Sequence, residues 1–195
     1  MNVEFDLVRA YFEQNGFWVR LHEFSFELGK KITPFPYFEI FNPTNSPENQ
    51  TESFRIFTGD LPKFSSAIVS LIGWNNTGFS SDMLTSDIRI MKFFRKQIEA
   101  YKIVLNENVI LSLREGKKFY LILPAIPKSD AKTKELFALF KENGVDGVLT
   151  MSSLLENLLR KSSEIRQPLG NSSFYLLKLL KAYGLATEPQ LNIFD

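Results

Sequence analysis

Residues 67–79 read AIVSLIGWNNTGF. The stretch from Ser66 to Ile72 is apolar or small and rich in β-branched side chains, the composition of a strand buried in a sheet. After Gly73 it turns polar and carries a second glycine, so the strand ends in a loop. Alternation puts Ile68, Ser70 and Ile72 on one face and Ala67, Val69 and Leu71 on the other. A strand that is apolar on both faces needs neighbours and cover on both sides. Upstream, Phe17–Phe24 reads as a strand with Phe17, Val19 and Leu21 on one side. Tyr37–Phe41 (YFEIF) is a second, ended by Asn42-Pro43, and Phe54–Phe57 a third. Downstream, Phe119–Leu123 is closed by Pro124, and Val145–Thr150 is short.

Between and around these lie helical patterns. Residues 3–14 carry Val3, Leu7, Ala10 and Tyr11 on one face, with Gly16 at the C-cap. Ser86 is placed to cap a helix reaching Leu105, with Met91, Phe94, Ile98, Tyr101 and Leu105 as its apolar stripe. Residues 131–142, 152–161 and 172–183 complete the set. Early strands are close together, as hairpins require, and later strands alternate with helices, as crossovers require. The expected fold is α/β (α+β), a mixed sheet flanked by helices in three layers. A single domain over 1–195 is expected, with a core over 1–150 and a C-terminal helical extension over 151–195.

The chain has 195 residues, 44% apolar, with 19 phenylalanines, no cysteine and one histidine. Lacking cysteine, it has no thiolate nucleophile and no cysteine-ligated zinc or iron–sulfur site. The single histidine, His22, would have to carry any Ser-His-Asp triad or two-histidine metal site, and it reads as an ordinary strand residue. Neither GxxxxGK[ST] nor GxGxxG occurs. The N-terminus has no signal-peptide pattern and no apolar run reaches membrane-spanning length, so a cytoplasmic protein with no membrane partner is expected. Net charge is +1, but residues 86–118 are locally basic, and Arg89, Lys92 and Lys96 form a stripe suited to phosphates. Trp74, Asn75 and Asn76 lie in the loop after the central strand, where Trp74 could stack on a base. Glu39, inside YFEIF, shares a strand face with Tyr37 and Phe41 and needs a partner or an edge position.

The pieces LVRAYFEQNGFWVR (7–20), YFEIFNP (37–43), AIVSLIGW (67–74) with the following helix, and FYLILPAIP (119–127) resemble the restriction-endonuclease-like, or PD-(D/E)xK, superfamily. They are similar in particular to a bacterial branch in which a strand ending in GW leads through a polar loop into a helix like LTSDIRIMKFF. NGVDGVLTMSSLL (143–155) and LLKLLKAYGL (176–185) fit the same branch, and the likeness spans nearly the whole chain. It implies metal-assisted phosphodiester hydrolysis, in which an acidic residue on one strand and another on the next bind Mg²⁺ and a lysine two residues on orients water. Here the motif glutamate falls on Ser70 and the lysine on Ile72. The earlier acidic position falls on Tyr37, or on Glu39 with a shift of two, and only Glu13 keeps its helix position. In the loop, where the branch carries His and Arg, this chain has Asn75 and Gly78.

The expected function is a catalytically inactive nuclease-like module that binds DNA, RNA or a protein partner, with no cofactor. The alternatives are an active Mg²⁺-dependent nuclease with a migrated site, drawing on Glu13, Glu39 and Asp60 with Lys63 or Lys92, and a structural homodimer built on an aromatic surface.

Overall fold

The computed structural model describes residues 2–23, 25–28, 31–44, 53–106, 116–162 and 172–187. In chain order they form α1 (Val3–Gln14), β1 (Trp18–His22), β2 (Ser25–Leu28), β3 (Lys31–Pro34), β4 (Tyr37–Phe41), β5 (Ser66–Leu71), a single turn α2 (Trp74–Thr77), α3 (Asp87–Asn106), β6 (Lys118–Leu123), α4 (Asp130–Glu142), β7 (Gly147–Thr150), α5 (Met151–Lys161) and α6 (Ser172–Ala182). Two 3₁₀ segments, Thr58–Lys63 and Ser81–Thr85, precede β5 and α3. The side chains of Tyr101 and Leu105, expected in the apolar stripe of α3, lie outside the described part.

The main sheet runs β1-β4-β5-β6-β7. β1, β4 and β5 form an antiparallel meander, and β5, β6 and β7 are parallel. The change of direction follows from the connections, because α3 and α4 carry the chain back across the sheet between parallel neighbours. β2 and β3 make a separate antiparallel hairpin. Its second strand falls in residues 29–36, a segment that glycine and proline punctuate in the sequence.

The strand expected at Phe54–Phe57 is reduced to one bridge, Arg55 beside Val148. Two hydrogen bonds hold it to the outer edge of β7, Ile56 N–H to the Val148 carbonyl and Val148 N–H to the Phe54 carbonyl, each 2.8 Å. The approach is too close for a side chain on β7. A Cβ at Gly147 would lie 2.7 Å from Ile56 Cδ1 and 3.1 Å from the Phe54 carbonyl oxygen.

Strict alternation in β5, β6 and β7 divides the core into two layers. Ala67, Val69, Leu71, Tyr120, Ile122 and Leu149 meet α1, α5 and α6, through side chains such as Val8, Phe12, Leu158 and Phe174. Ile68, Ile72, Phe119, Leu121 and Val148 meet α3 and α4. Phe79, Phe93, Phe94 and Phe140 run through this second layer edge to face, with centroids 5.1–5.6 Å apart. Much of the phenylalanine content is used this way, since edge-to-face rings fill volume and add attraction beyond area burial. The result is the three-layer mixed α/β arrangement expected. Among the described residues, no helix is long and apolar enough to cross a membrane.

One buried tyrosine sets an alkaline limit. Tyr11 is 1% exposed, its hydroxyl 3.1 Å from Thr58 Oγ1. Burial pushes its pKa up to about 12, from 10.0. A raised acid in the folded state contributes stability that is complete below pH 10 and is lost as pH climbs through 12. The expected loss across that window is about 2–3 kcal/mol. Urea midpoints between pH 9 and 12 for the protein and its Tyr11→Phe variant measure it, the variant being flatter.

Candidate functional site

Tyr37, Ser70 and Ile72, onto which the resemblance puts the nuclease motif, come together on one face of the sheet. Tyr37 and Ser70 are directly opposed in the β4–β5 ladder, and Ile72 follows on the same face of the exiting chain. They do not line an open cleft. Tyr37 is 5% exposed, Ser70 1% and Ile72 0%. Tyr37 and Ile72 pack in the second core against α3 residues including Ile90 and Phe94. Burial, with Glu39 alongside, raises the Tyr37 phenol above its ordinary pKa.

The acidic residues singled out from sequence lie apart. Glu39 sits on the α3 side of the sheet, opposite Arg20 of β1. It is not at an edge, because β4 runs between β1 and β5. It is held by partners instead. Lys117 Nζ donates to Oε1, and His22 Nε2 lies 3.2 Å from Oε2. The Lys117 hydrogen bond, reinforced by His22, holds the Glu39 carboxyl below the usual carboxylate range. His22 also stacks on Tyr37 at 4.8 Å. Glu13 is on α1, in the layer across the sheet, and pairs with Arg9 at 2.8 Å. Asp60 caps its own 3₁₀ segment by accepting from Phe57 N–H at 3.0 Å and pairs with Lys63 at 2.9 Å. Lys63, and the hydrogen bond from it above all, keeps Asp60 acidic. Among the described residues, no three His, Asp or Glu side chains are grouped to hold a metal ion.

The loop after β5 is built around Glu4 of α1. Its carboxyl group, 8% exposed, accepts from Trp74 N–H at 2.8 Å and Asn75 N–H at 3.0 Å. Those are the first amides of α2, so Glu4 caps a turn 70 residues away. Gly73 makes the approach possible, since a Cβ there would be 2.7 Å from both Glu4 oxygens. Asn75 thus contributes its backbone, and the Asn76 side chain lies outside the described part. Gly78 has φ +73°, a conformation that suits glycine. Trp74 is half-buried and meets Phe79 edge to face at 4.9 Å, so it packs more than it presents. It borders a cavity of about 790 Å³ at the carboxyl ends of β5, β6 and β7, which Arg55, Ala125 and Ser152 also line.

Two surfaces remain open on the α3 side of the sheet. The first is the basic stripe. Lys92 and Lys96 are exposed, and Arg89 is exposed but shared with Asp82 at 2.9 Å. The second is the face of β1 and β4 that the described helices leave uncovered. There Trp18 is 68% exposed and Phe41 46%, their rings 5.7 Å apart. Arg20, Glu39 and Lys117 continue the surface around a depression of about 470 Å³. Alternation in WVRLH could have found it, because assigning Val19 and Leu21 inward sends Trp18, Arg20 and His22 to the other face. Glu4 was findable too, for it falls in one stripe with buried Val8 and Tyr11. Lys117 had no pattern to reveal it.

No family model, curated protein or solved structure matches this chain.

Proposed function

We propose that the protein is a nuclease-like scaffold that binds nucleic acid without cleaving it. The observation that carries this is the content of one sheet face. Where the superfamily it resembles places a carboxylate and an E-x-K pair, this chain has Tyr37, Ser70 and Ile72, each buried in the α3 side of the molecule. A phenol, a hydroxyl and a hydrocarbon supply neither the negative charge a divalent ion requires nor an ammonium to polarise water. The same helix α3 that covers them carries Lys92 and Lys96 outward, so the side of the molecule that would face a phosphodiester keeps cations. The meander β1-β4-β5 followed by a crossover to parallel β6 supports the resemblance at the level of strand order.

Binding of oligonucleotides as a function of salt tests the reading. Affinity should fall with rising salt, and Lys92→Glu with Lys96→Glu should weaken it and lower the salt slope by about one unit for each phosphate no longer engaged. Affinity indifferent to salt and to both charges would refute nucleic-acid binding. Metal-dependent cleavage that disappears in Glu39→Ala would refute the non-catalytic part and favour a site displaced onto the Glu39–Lys117 pair.

A further inference from the structure

We infer that the nucleic acid is single-stranded and lies across the open β1–β4 face, with bases stacked on Trp18 and Phe41. The inference rests on the nucleic-acid reading and adds the strand state and the surface. A folded protein gains nothing by leaving a tryptophan and a phenylalanine side by side in water. Here they are 68% and 46% exposed, on cross-strand partners directly opposed in the β1–β4 ladder. Their rings are 5.7 Å apart and tilted by 46°, so each still has a face to offer. Every base has a flat apolar surface that such rings can take, whatever its identity. In a duplex those surfaces are already stacked on one another, so an exposed aromatic pair selects for unpaired bases.

The charges around the pair suit a phosphodiester. Arg20 is the neighbour of Trp18 on the same face, two residues along β1, and Lys117 reaches the surface from just before β6. Glu39, a carboxylate on this face, is taken up by Lys117 and His22. Counting Arg20, Lys117 and Glu39, the face is net positive by one with His22 neutral. The depression of about 470 Å³ between Trp18, Arg20 and Lys117 is large enough for a base or a phosphate group. Strands also give this platform a rigidity that a loop would lack, because Trp18 and Phe41 sit on a paired ladder continuous with the core.

Tryptophan fluorescence provides a direct readout, because the chain has two tryptophans. In a Trp74→Phe protein the remaining reporter is Trp18. A single-stranded oligonucleotide should quench it, and the same sequence as a duplex should not. By anisotropy with labelled oligonucleotides, Trp18→Ala and Phe41→Ala should each weaken single-strand binding roughly tenfold to a hundredfold and leave duplex binding unchanged. Both positions are exposed, and a thermal melt of each variant confirms that it is folded. If single-strand affinity is unchanged by both substitutions while Lys92→Glu and Lys96→Glu still weaken it, the platform is wrong and nucleic-acid binding stands. If no salt-dependent binding is seen with either strand state, both fail. If sedimentation shows a dimer that dissociates in Trp18→Ala, the face belongs to a second copy of the chain and the inference is overturned.

Discussion

Ile72→Lys, alone or with Ser70→Glu, is expected to unfold the protein rather than restore a nuclease. The pair recreates the E-x-K spacing on the strand where a PD-(D/E)xK enzyme carries it. In this chain the two positions are 0% and 1% exposed. An ammonium at residue 72 would enter a layer made by Ile68, Phe94 and Phe119. Moving a charge there without a partner costs far more than the few kcal/mol that typically hold a domain together, so the lysine would deprotonate or the layer would open. A loss on the order of 4 kcal/mol or more is expected for Ile72→Lys. Ile72→Met keeps the volume and apolarity, and should cost less than about 1.5 kcal/mol. Urea denaturation of the three proteins decides the matter. A double variant as stable as the parent would mean that the strand borders an accessible cleft, and the reading of Ser70 and Ile72 as core would be wrong.

The second large effect is expected at Glu4. Glu4→Ala removes the acceptor of two amides, Trp74 N–H and Asn75 N–H. Leaving buried donors without partners costs about 1–3 kcal/mol each, so a total of about 2–4 kcal/mol is expected at this partly buried site. Gly73→Ala should destabilise for the complementary reason, since its Cβ would press within 2.7 Å of the carboxyl oxygens and force the cap apart. The two effects share one contact, so they should not add. Once Glu4 is alanine, the methyl at residue 73 meets no carboxyl, and the double variant should be little worse than Glu4→Ala. Additive losses would show that the two residues act independently and that the cap is not what Gly73 accommodates.

The mixed sheet and its layering were legible in the sequence because they depend on periodicity. AIVSLI and FYLIL are apolar on both faces and had to be central, and the helices between them required parallel pairing. What periodicity misses is contact between distant segments. Phe54–Phe57 has strand composition but meets only the rim of β7 at Gly147, so it makes a bridge. Glu39 reads as an edge residue because its partners, Lys117 and His22, come from elsewhere in the chain. Trp74 could stack on a base but reads better as a packing tryptophan at a strand end, and it does pack, edge to face on Phe79. Trp18 escapes notice because the apolar pattern of β1 draws the eye to Val19 and Leu21. The central strand at 66–72 was identifiable, and so was its lack of a carboxylate or lysine. Alternation puts Trp18 and Arg20 on one face of β1, but whether that face is open depends on which part of the sheet the described helices leave uncovered.

The packing of α1 has a consequence for how the protein is made. Val8, Tyr11 and Phe12 leave the ribosome long before the side chains that cover them, which include Leu154, Leu158 and Phe174. Until the last of these is synthesised, one face of the sheet has no complete lid, and an early aromatic stripe stays in contact with water. The other layer is finished sooner, because its last buried members, Val145 and Val148, precede α5 and α6. The cover of α1 is therefore left to the last two described helices in chain order, α5 and α6.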